Sequence, residues 1–235
     1  MSELIINALN KSYTIDKEKH VVLRELSLSV DCQNITIVLG KSGCGKTTLL
    51  RLISGLEKPD SGTITTPPAL KLGMMFQEAR LMPWLTCYQN IVFGLPPHFN
   101  QAKITELIKT VGLTGFEEAY PAQLSGGMQQ RTALARTLAL ESQLILMDEP
   151  FAALDYFTRV SMQQELLRIK KLASTGIIFV THNIDEALTL GDSILVMSQG
   201  TIAKKIILPA NQNRDILSAP FIAYKRAILA SMQIH

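Results

Sequence analysis

The segment that most constrains the fold is Gly40–Thr48, which reads GKSGCGKTT and lies between ITIVL and LLRLISGL. The apolar, β-branched residues before it predict a buried strand. The residues after it carry apolar side chains at helical spacing, which predicts a helix from Lys46 to Leu56. A buried strand that passes through a tight glycine turn directly into a helix is typical of α/β sheets, so this segment indicates an α/β fold.

The same turn has the chemistry of a phosphate-binding loop. Its glycines permit positive φ angles and close approach of a ligand, and successive N–H groups at a helix N-terminus attract anions. Lys46 adds a positive charge, and the Thr47 hydroxyl can ligate Mg²⁺. The spacing fits G-x-x-x-x-G-K-[ST], so we predict binding of ATP or GTP. The predicted binding residues are Gly40, Lys41, Ser42, Gly43, Cys44, Gly45, Lys46, Thr47 and Thr48.

The segment LILMDEP is an apolar run, predicted to be a strand, that ends in two carboxylates, Asp148 and Glu149. Buried charges need partners, and a nucleotide's Mg²⁺ and an attacking water would supply them. We predict that Asp148 meets Mg²⁺, through water, and that Glu149 accepts a proton from the attacking water. His182 ends another strand, GIIFVTHN, where it could donate a hydrogen bond to a γ-phosphate or serve a structural purpose; its position alone favours neither.

A second anion-binding helix end is predicted at LSGGMQQRTALARTLA. Ser125 is a good N-cap, and Gly126 and Gly127 open an Ala- and Leu-rich helix without a lysine of its own. Taken alone, the segment also fits an ordinary capped helix.

These motifs, in this order, identify the chain as similar to the ATP-binding subunits of ABC transporters. The resemblance covers nearly the whole chain and implies further roles. Tyr13 would stack on adenine, Gln77 in MMFQE would sense the γ-phosphate and ligate Mg²⁺ together with Thr47 and Asp148, and His182 would be the switch histidine. The signature residues Ser125, Gly126, Gly127 and Met128 would face the ATP of a second subunit, with Asp155 of AALD in the D-loop.

The family's fold is a P-loop NTPase (RecA-like) core with a mostly parallel sheet, an N-terminal antiparallel β subdomain and an inserted α-helical subdomain. We therefore predict a single domain over residues 1–235. The core and β subdomain would take about residues 1–77 and 141–235, and the helical subdomain about residues 78–140.

The resemblance also implies a mechanism. Two subunits, expected to be identical, pair head to tail around two ATP molecules, and hydrolysis lets the pair open. Closure is passed to membrane permease subunits, to which an extracytoplasmic solute-binding protein delivers the solute. The sequence departs from the family pattern at Lys41, Met128, Ala152 and Asn183, none of which removes a catalytic group.

Composition limits the other possibilities. The chain has 235 residues, 47% of them hydrophobic, and a net charge of +3, which is too small to indicate a nucleic-acid partner. No apolar run reaches the roughly 18 residues of a membrane span, and the N-terminus lacks the features of a signal peptide. We expect a peripheral protein on the cytoplasmic side of the inner membrane. The three cysteines, with no metal-ligand spacing, are expected to be free thiols.

A finer resemblance concerns FQEARLMPWLTCYQNIVFGL and MDEPFAALDYFTR, which look like importers of nitrate, sulfonates and taurine. Met82, Pro83 and Trp84 would form a docking patch for the membrane partner, or simply pack inside the lobe. The alternatives are an exporter or lipoprotein-releasing ATPase, a non-transport ABC ATPase, and a P-loop kinase. The interval between Lys46 and Ser125 shows no heptads, which argues against repair ATPases with a coiled-coil insertion, and a P-loop kinase needs no second anion site.

Overall fold

The computed structural model describes residues 3–152, 154–172, 175–209, 214–215 and 217–232. The chain divides by its own contacts into two compact units. The first is Met1–Leu70 with Gly176–His235, and the second is Lys71–Thr175. The predicted boundaries of the core and the helical subdomain stay a prediction.

Within the described residues the elements run in chain order as follows: β1 Glu3–Ile15, β2 Glu18–Asp31, β3 Ile35–Leu39, α1 Lys46–Ile53, β4 Ser61–Thr65, β5 Leu72–Met75, α2 Cys87–Val92, α3 Gln101–Thr110, a 3-10 turn Pro121–Gln123, α4 Gly126–Ala139, β6 Leu144–Asp148, α5 Tyr156–Leu172, β7 Gly176–Thr181, α6 Ile184–Leu190, β8 Ser193–Ser198, β9 Thr201–Ile207 and α7 Ala219–Met232.

The first unit opens with an antiparallel sheet in the order β2-β1-β4. Glu3 pairs with Asp31 across β1 and β2, and Ile6 pairs with Ile64 across β1 and β4. Alternate residues such as Leu4 and Ile6 are buried, as expected for strands with one face on a core. This is the predicted N-terminal antiparallel β subdomain.

The predicted phosphate loop, Gly40–Thr48, follows strand β3 of a mostly parallel sheet, in which the local strand order is β7-β3-β8-β9. β3 pairs in parallel with both β7 and β8, and every residue of β3 and β7 is buried. Strands covered on both faces read as continuous apolar runs, which explains ITIVL and GIIFVT. The hairpin β8–β9 turns at Gln199 and Gly200, both with positive φ.

The second unit combines the parallel pair β5–β6 with helices. An apolar cluster fills its helical part: Cys87, Ile91, Ile104, Ile108, Val111, Leu113, Leu124, Ala135 and Ala139. Here α4 contributes Ala135 and Ala139, and Met128 packs against the cluster, so the signature segment begins a helix that is packed against this core.

The predicted α/β fold is confirmed, and one helix ends earlier than predicted. α1 ends at Ile53 rather than Leu56, because Gly55, directly after the C-cap Ser54, adopts φ 74°. Glycine after a last helical turn adopts this left-handed conformation without strain and stops the helix. None of the helices in the described part of the chain has the length and apolarity that a membrane span requires.

Candidate active site

The phosphate loop lies where β3 ends and α1 begins, in the first unit. Gly45 is the N-cap residue of α1 with φ 103°, a conformation that strains any residue with a Cβ. An added Cβ there would lie 2.9 Å from Leu23 Cδ2 as well. The loop therefore requires glycine at this position for both conformation and space.

Lys46 is 4% exposed and folds back over the loop. Its Nζ donates to the carbonyl oxygens of Gly40 at 2.9 Å and Lys41 at 3.0 Å. A buried ammonium held by loop carbonyls lies at the mouth of the nest that a phosphate would enter. Beside the loop, a cavity of about 260 Å³ is lined by Lys41, Ser42, Gly43 and Cys44 together with Met197–Gln199 and Met232.

Tyr13 lies on β1 and is half-buried, and its hydroxyl donates to Glu57 Oε2. Burial, and then this hydrogen bond, raise the pKa of Tyr13 above its ordinary value. Glu57 also meets Arg51 of α1, with 3.3 Å between Nη1 and Oε1. Sequence reasoning missed Glu57, because the turn GLEKPD carries no motif.

His182 is exposed and directly follows β7. The next residue, Asn183, caps α6 through its Oδ1, which accepts from the N–H groups of Asp185 and Glu186 at 2.9 and 3.3 Å. The Asn183 N–H donates in turn to the Thr181 hydroxyl at 3.0 Å. Asparagine caps a helix about as well as aspartate, so the departure at Asn183 preserves the turn that presents His182.

The acid pair lies in the second unit, at the end of β6. Asp148 is 4% exposed, and Glu149 has φ 45°, which is uncommon for a residue other than glycine. Strained backbone conformations of this kind cluster at functional sites. The geometry at Glu149 therefore agrees with the role predicted for it.

Gln77 follows β5 with its side chain exposed. Its carbonyl oxygen accepts from Gln130 Nε2 at 2.6 Å. Gln130 is a buried residue of α4 that the sequence motifs had not singled out.

The signature segment forms the first turn of α4. Ser125 caps the helix, accepting from the Met128 N–H at 3.3 Å, as predicted. No described atom lies within 4 Å of a Cβ added at Gly126, whereas one at Gly127 would lie 3.3 Å from Leu154 Cδ2. Met128 packs against the helical apolar cluster.

Asp155 precedes α5 and accepts a 3.0 Å bond from the Thr158 N–H, in the manner of an N-cap. Hydrogen bonds from Thr158 hold the pKa of the Asp155 carboxylate below its usual range. Ala152 donates its N–H to the Glu149 carbonyl at 3.1 Å, and Ala153 of the same motif lies outside the described residues.

The predicted site residues thus divide between the two units. The first holds Tyr13, Gly40–Thr48 and His182; the second holds Gln77, Ser125–Met128, Asp148, Glu149 and Asp155. Within the described part of the chain, no cluster of three His, Cys, Asp or Glu side chains could hold a metal ion. Asp148 of the second unit is a buried carboxylate, and Thr47 of the first unit carries a hydroxyl in the first turn of α1; both are oxygen groups of the kind that Mg²⁺ takes as ligands beside substrate phosphates.

Comparison with known proteins identifies the arrangement. A family model described as ABC transporter matches residues 23–152. An uncharacterized ABC transporter ATP-binding protein of Methanocaldococcus jannaschii is 42% identical, covering 97% of this chain and 90% of its own length. The aliphatic sulfonates import ATP-binding protein SsuB of Bacillus subtilis is 39% identical over 97% of this chain and 93% of its own.

Solved structures agree. An ATP-binding cassette in a dimeric post-hydrolysis state, bound to ADP and Pi, superimposes with a TM-score of 0.80 at 28% identity, covering 88% of this chain and 100% of its own. The predicted P-loop NTPase class is therefore confirmed at the level of fold as well as sequence.

Proposed function

This chain belongs to the ABC transporter family of ATP-binding proteins and is an ATPase, and on that premise we propose that it powers a solute importer. The observation that carries the ATP-driven mechanism is the presence of two anion-suited helix ends in one chain, and the import role rests on the likeness to sulfonate import proteins. α1 begins at the phosphate loop with Lys46, and α4 begins at Ser125 with an open glycine turn. Two such ends in one chain are explained if each serves a different nucleotide of a dimer.

The phosphate loop binds ATP in this proposal. When ATP binds, Lys46 Nζ gives up its bonds to the carbonyl oxygens of Gly40 and Lys41 and donates to the phosphates instead. The new bonds are stronger, because the phosphate oxygens are charged and the carbonyl oxygens are neutral. Tyr13 presents its ring to the adenine, anchored through its hydroxyl by Glu57. The anchor holds the ring by its hydroxyl end, and Lys11 Nζ lies over one face of the ring, 5.3 Å from its centroid.

Glu149 acts as the general base toward the attacking water, while Gln77 and His182 contact the γ-phosphate. Thr47, Gln77 and Asp148 would hold Mg²⁺, which neutralises developing charge on the phosphates. The positive φ of Glu149 supports its role, because a backbone conformation that costs free energy persists where function requires it.

ATP joins two copies of the chain head to tail, so that each nucleotide lies between the phosphate loop of one copy and Ser125–Met128 of the other. The dimer is tested with Glu149→Gln and saturating MgATP. Light scattering should give twice the monomer mass, because the variant binds ATP without turning it over. A monomer under these conditions would contradict the dimeric mechanism.

The membrane partner docks, we propose, on the segment Met82–Thr86. Asn90 is fully buried and organises this segment, donating to the carbonyl oxygens of Met82, Leu85 and Thr86 and accepting from the Met82 N–H. Trp84 is 69% exposed on it. A rigidly held loop with an exposed tryptophan fits an interface anchor, since tryptophan is enriched at binding hot spots.

The transported solute is proposed to be a small anion of the sulfonate, nitrate or taurine type. Relatives of similar length are named as aliphatic sulfonate import proteins, and the segments around QEARLMPWLT and DEPFAALDYFTR carry the finer likeness. In this system an extracytoplasmic solute-binding protein delivers the solute to the permease.

Crosslinking of the tagged chain in its native cells, followed by mass spectrometry, tests the importer. A multi-span membrane protein together with a solute-binding protein supports it, and screening anions against that binding protein identifies the solute. A membrane protein alone would favour an exporter or lipoprotein-releasing system. Recovery of only soluble proteins or nucleic acid would overturn the transport assignment and leave the ATPase intact.

A further inference from the structure

A set of hydrogen bonds in the second unit joins the Gln77 segment to the signature helix. Gln130 Nε2 donates to the Gln77 carbonyl at 2.6 Å. One and a half turns further along α4, Arg136 donates from Nη2 to the Ala79 carbonyl and from Nη1 to the Arg80 carbonyl, each at 3.0 Å. Three carbonyl groups of one short loop are thus held by two side chains of one helix.

These contacts are well placed to resist movement. Gln130 is 4% exposed and Arg136 is half-buried, and burial lowers the pKa of the Arg136 guanidinium. The bonds from Gln130 to Gln77 and from Arg136 Nη2 to Ala79 are partly buried, and shielding from water strengthens a hydrogen bond, whereas the bond from Arg136 Nη1 to Arg80 is exposed. Arg80, with φ 45°, stacks its guanidinium 4.0 Å from the centroid of the Phe76 ring, a further contact within the same loop.

Gln130 donates to the Gln77 carbonyl from surroundings that offer its side-chain amide few other hydrogen-bond partners. Its Oε1 is buried and has no hydrogen-bond partner among the described residues. The crevice around it is lined by Met75, Leu134, Pro150 and Phe151, so the residue also adjoins the chain directly after Glu149. A buried amide oxygen without a partner costs folding free energy, which the bond from Nε2 to the Gln77 carbonyl partly offsets.

From these contacts we infer that Gln130 and Arg136 are positioning residues that make the Gln77–Arg80 segment and α4 move as one body. The inference rests on the proposed roles of Gln77 and Ser125. Gln77 contacts the γ-phosphate of one nucleotide, and Ser125, at the start of the same helix, faces the other nucleotide of the dimer. A displacement of Gln77 is therefore transmitted within one chain from the first ATP to the second.

Arg131 provides a matched control on the same helix. It is also half-buried, and its Nη1 donates to the carbonyl oxygens of Val111 at 3.2 Å and Gly112 at 3.0 Å, away from the Gln77 segment. Arg131→Met and Arg136→Met thus remove the same side chain and comparable hydrogen bonds from one helix. They differ in which loop is released.

The experiment compares Gln130→Met, Arg136→Met, Arg136→Lys and Arg131→Met, each with the native Glu149 and with Glu149→Gln. Trp84, the single tryptophan of the chain, lies in the segment that follows Arg80 and reports its movement by fluorescence. In the Glu149→Gln background, MgATP should change the Trp84 emission in the parent and in Arg131→Met. The change should be lost in Gln130→Met and Arg136→Met, although binding of a fluorescent ATP analogue persists.

In the native-Glu149 background, kcat should fall about tenfold or more in Gln130→Met and Arg136→Met, with KM for ATP within about threefold of the parent. Arg136→Lys should recover part of kcat and part of the Trp84 emission change, since an ammonium can still reach the carbonyl of either Ala79 or Arg80. If Arg136→Met fails to fold, Arg136→Lys and Gln130→Met carry the test.

The inference would be overturned if Arg131→Met and Arg136→Met had equal kcat values and equal changes of Trp84 emission. It would also be overturned if MgATP did not change the Trp84 emission of the parent protein. Failure of the proposed function looks different. In that case the parent itself would neither dimerise with MgATP in the Glu149→Gln form nor hydrolyse ATP in the native form.

Discussion

Gly126→Ala separates folding from nucleotide recognition in the signature helix. Gly126 is the first residue of α4, and no described atom lies within 4 Å of the Cβ that alanine would add. Its backbone is helical rather than left-handed, so alanine fits without strain. By restricting the unfolded chain, the substitution should stabilise the fold by about 0.5 kcal/mol, which raises Tm by about 1–2 °C in a domain of this size.

The same methyl group should weaken ATP-driven dimerisation. If the N–H groups of this turn meet the γ-phosphate of the other copy's ATP, the methyl group displaces that phosphate. Loss of one charge-assisted hydrogen bond costs about 1.5–3 kcal/mol, and a symmetric dimer contains two such sites. The ATP-dependent dimer of Glu149→Gln should therefore need at least about tenfold more protein to form when Gly126→Ala is added.

Light scattering with MgATP measures the dimer, and thermal unfolding without nucleotide measures the fold. Gln101→Ala is the control, because Gln101 is an exposed residue in the first turn of α3, far along the chain from the signature. The control should leave dimerisation unchanged. A Gly126→Ala protein that dimerises as readily as its parent, or that unfolds more easily by more than about 1 kcal/mol, would refute the reasoning.

Four further outcomes are expected. Lys46→Ala should abolish binding of a fluorescent ATP analogue, because it removes the ammonium that would exchange its bonds to loop carbonyls for bonds to phosphate; unchanged binding would contradict the phosphate-loop assignment. Asn90→Ala should lower the free energy of unfolding in urea by about 2–3 kcal/mol, since it leaves several buried backbone groups unpaired. Trp84→Ala should change stability by no more than about 0.5 kcal/mol yet reduce recovery of the membrane partner in pull-downs; full recovery would rule out the docking role. Tyr13→Phe, which removes the bond to Glu57 but keeps the ring, should bind ATP within about threefold of the parent by the same fluorescence assay, whereas Tyr13→Ala should bind at least about tenfold more weakly.

Local features of the site were predictable because their causes are local. The positive φ of Gly45 and the cap at Ser125 each depend on a few adjacent residues. The buried strands before the phosphate loop and the acid pair follow likewise from continuous apolar runs. The class of protein followed from the order of these motifs along the chain.

The chemical groups of the candidate site, and the local backbone that presents them, thus follow from the sequence. The tertiary structure alone decided which distant groups hold them in place. Glu57 meets Tyr13 from 44 residues away, and Gln130 meets the Gln77 carbonyl from 53 residues away. Neither partner belongs to a spacing pattern, because such hydrogen bonds depend on where the folded backbone brings two elements together. For that reason the residues that would bind ATP were named from the sequence, and the residues that position them were found only in the fold.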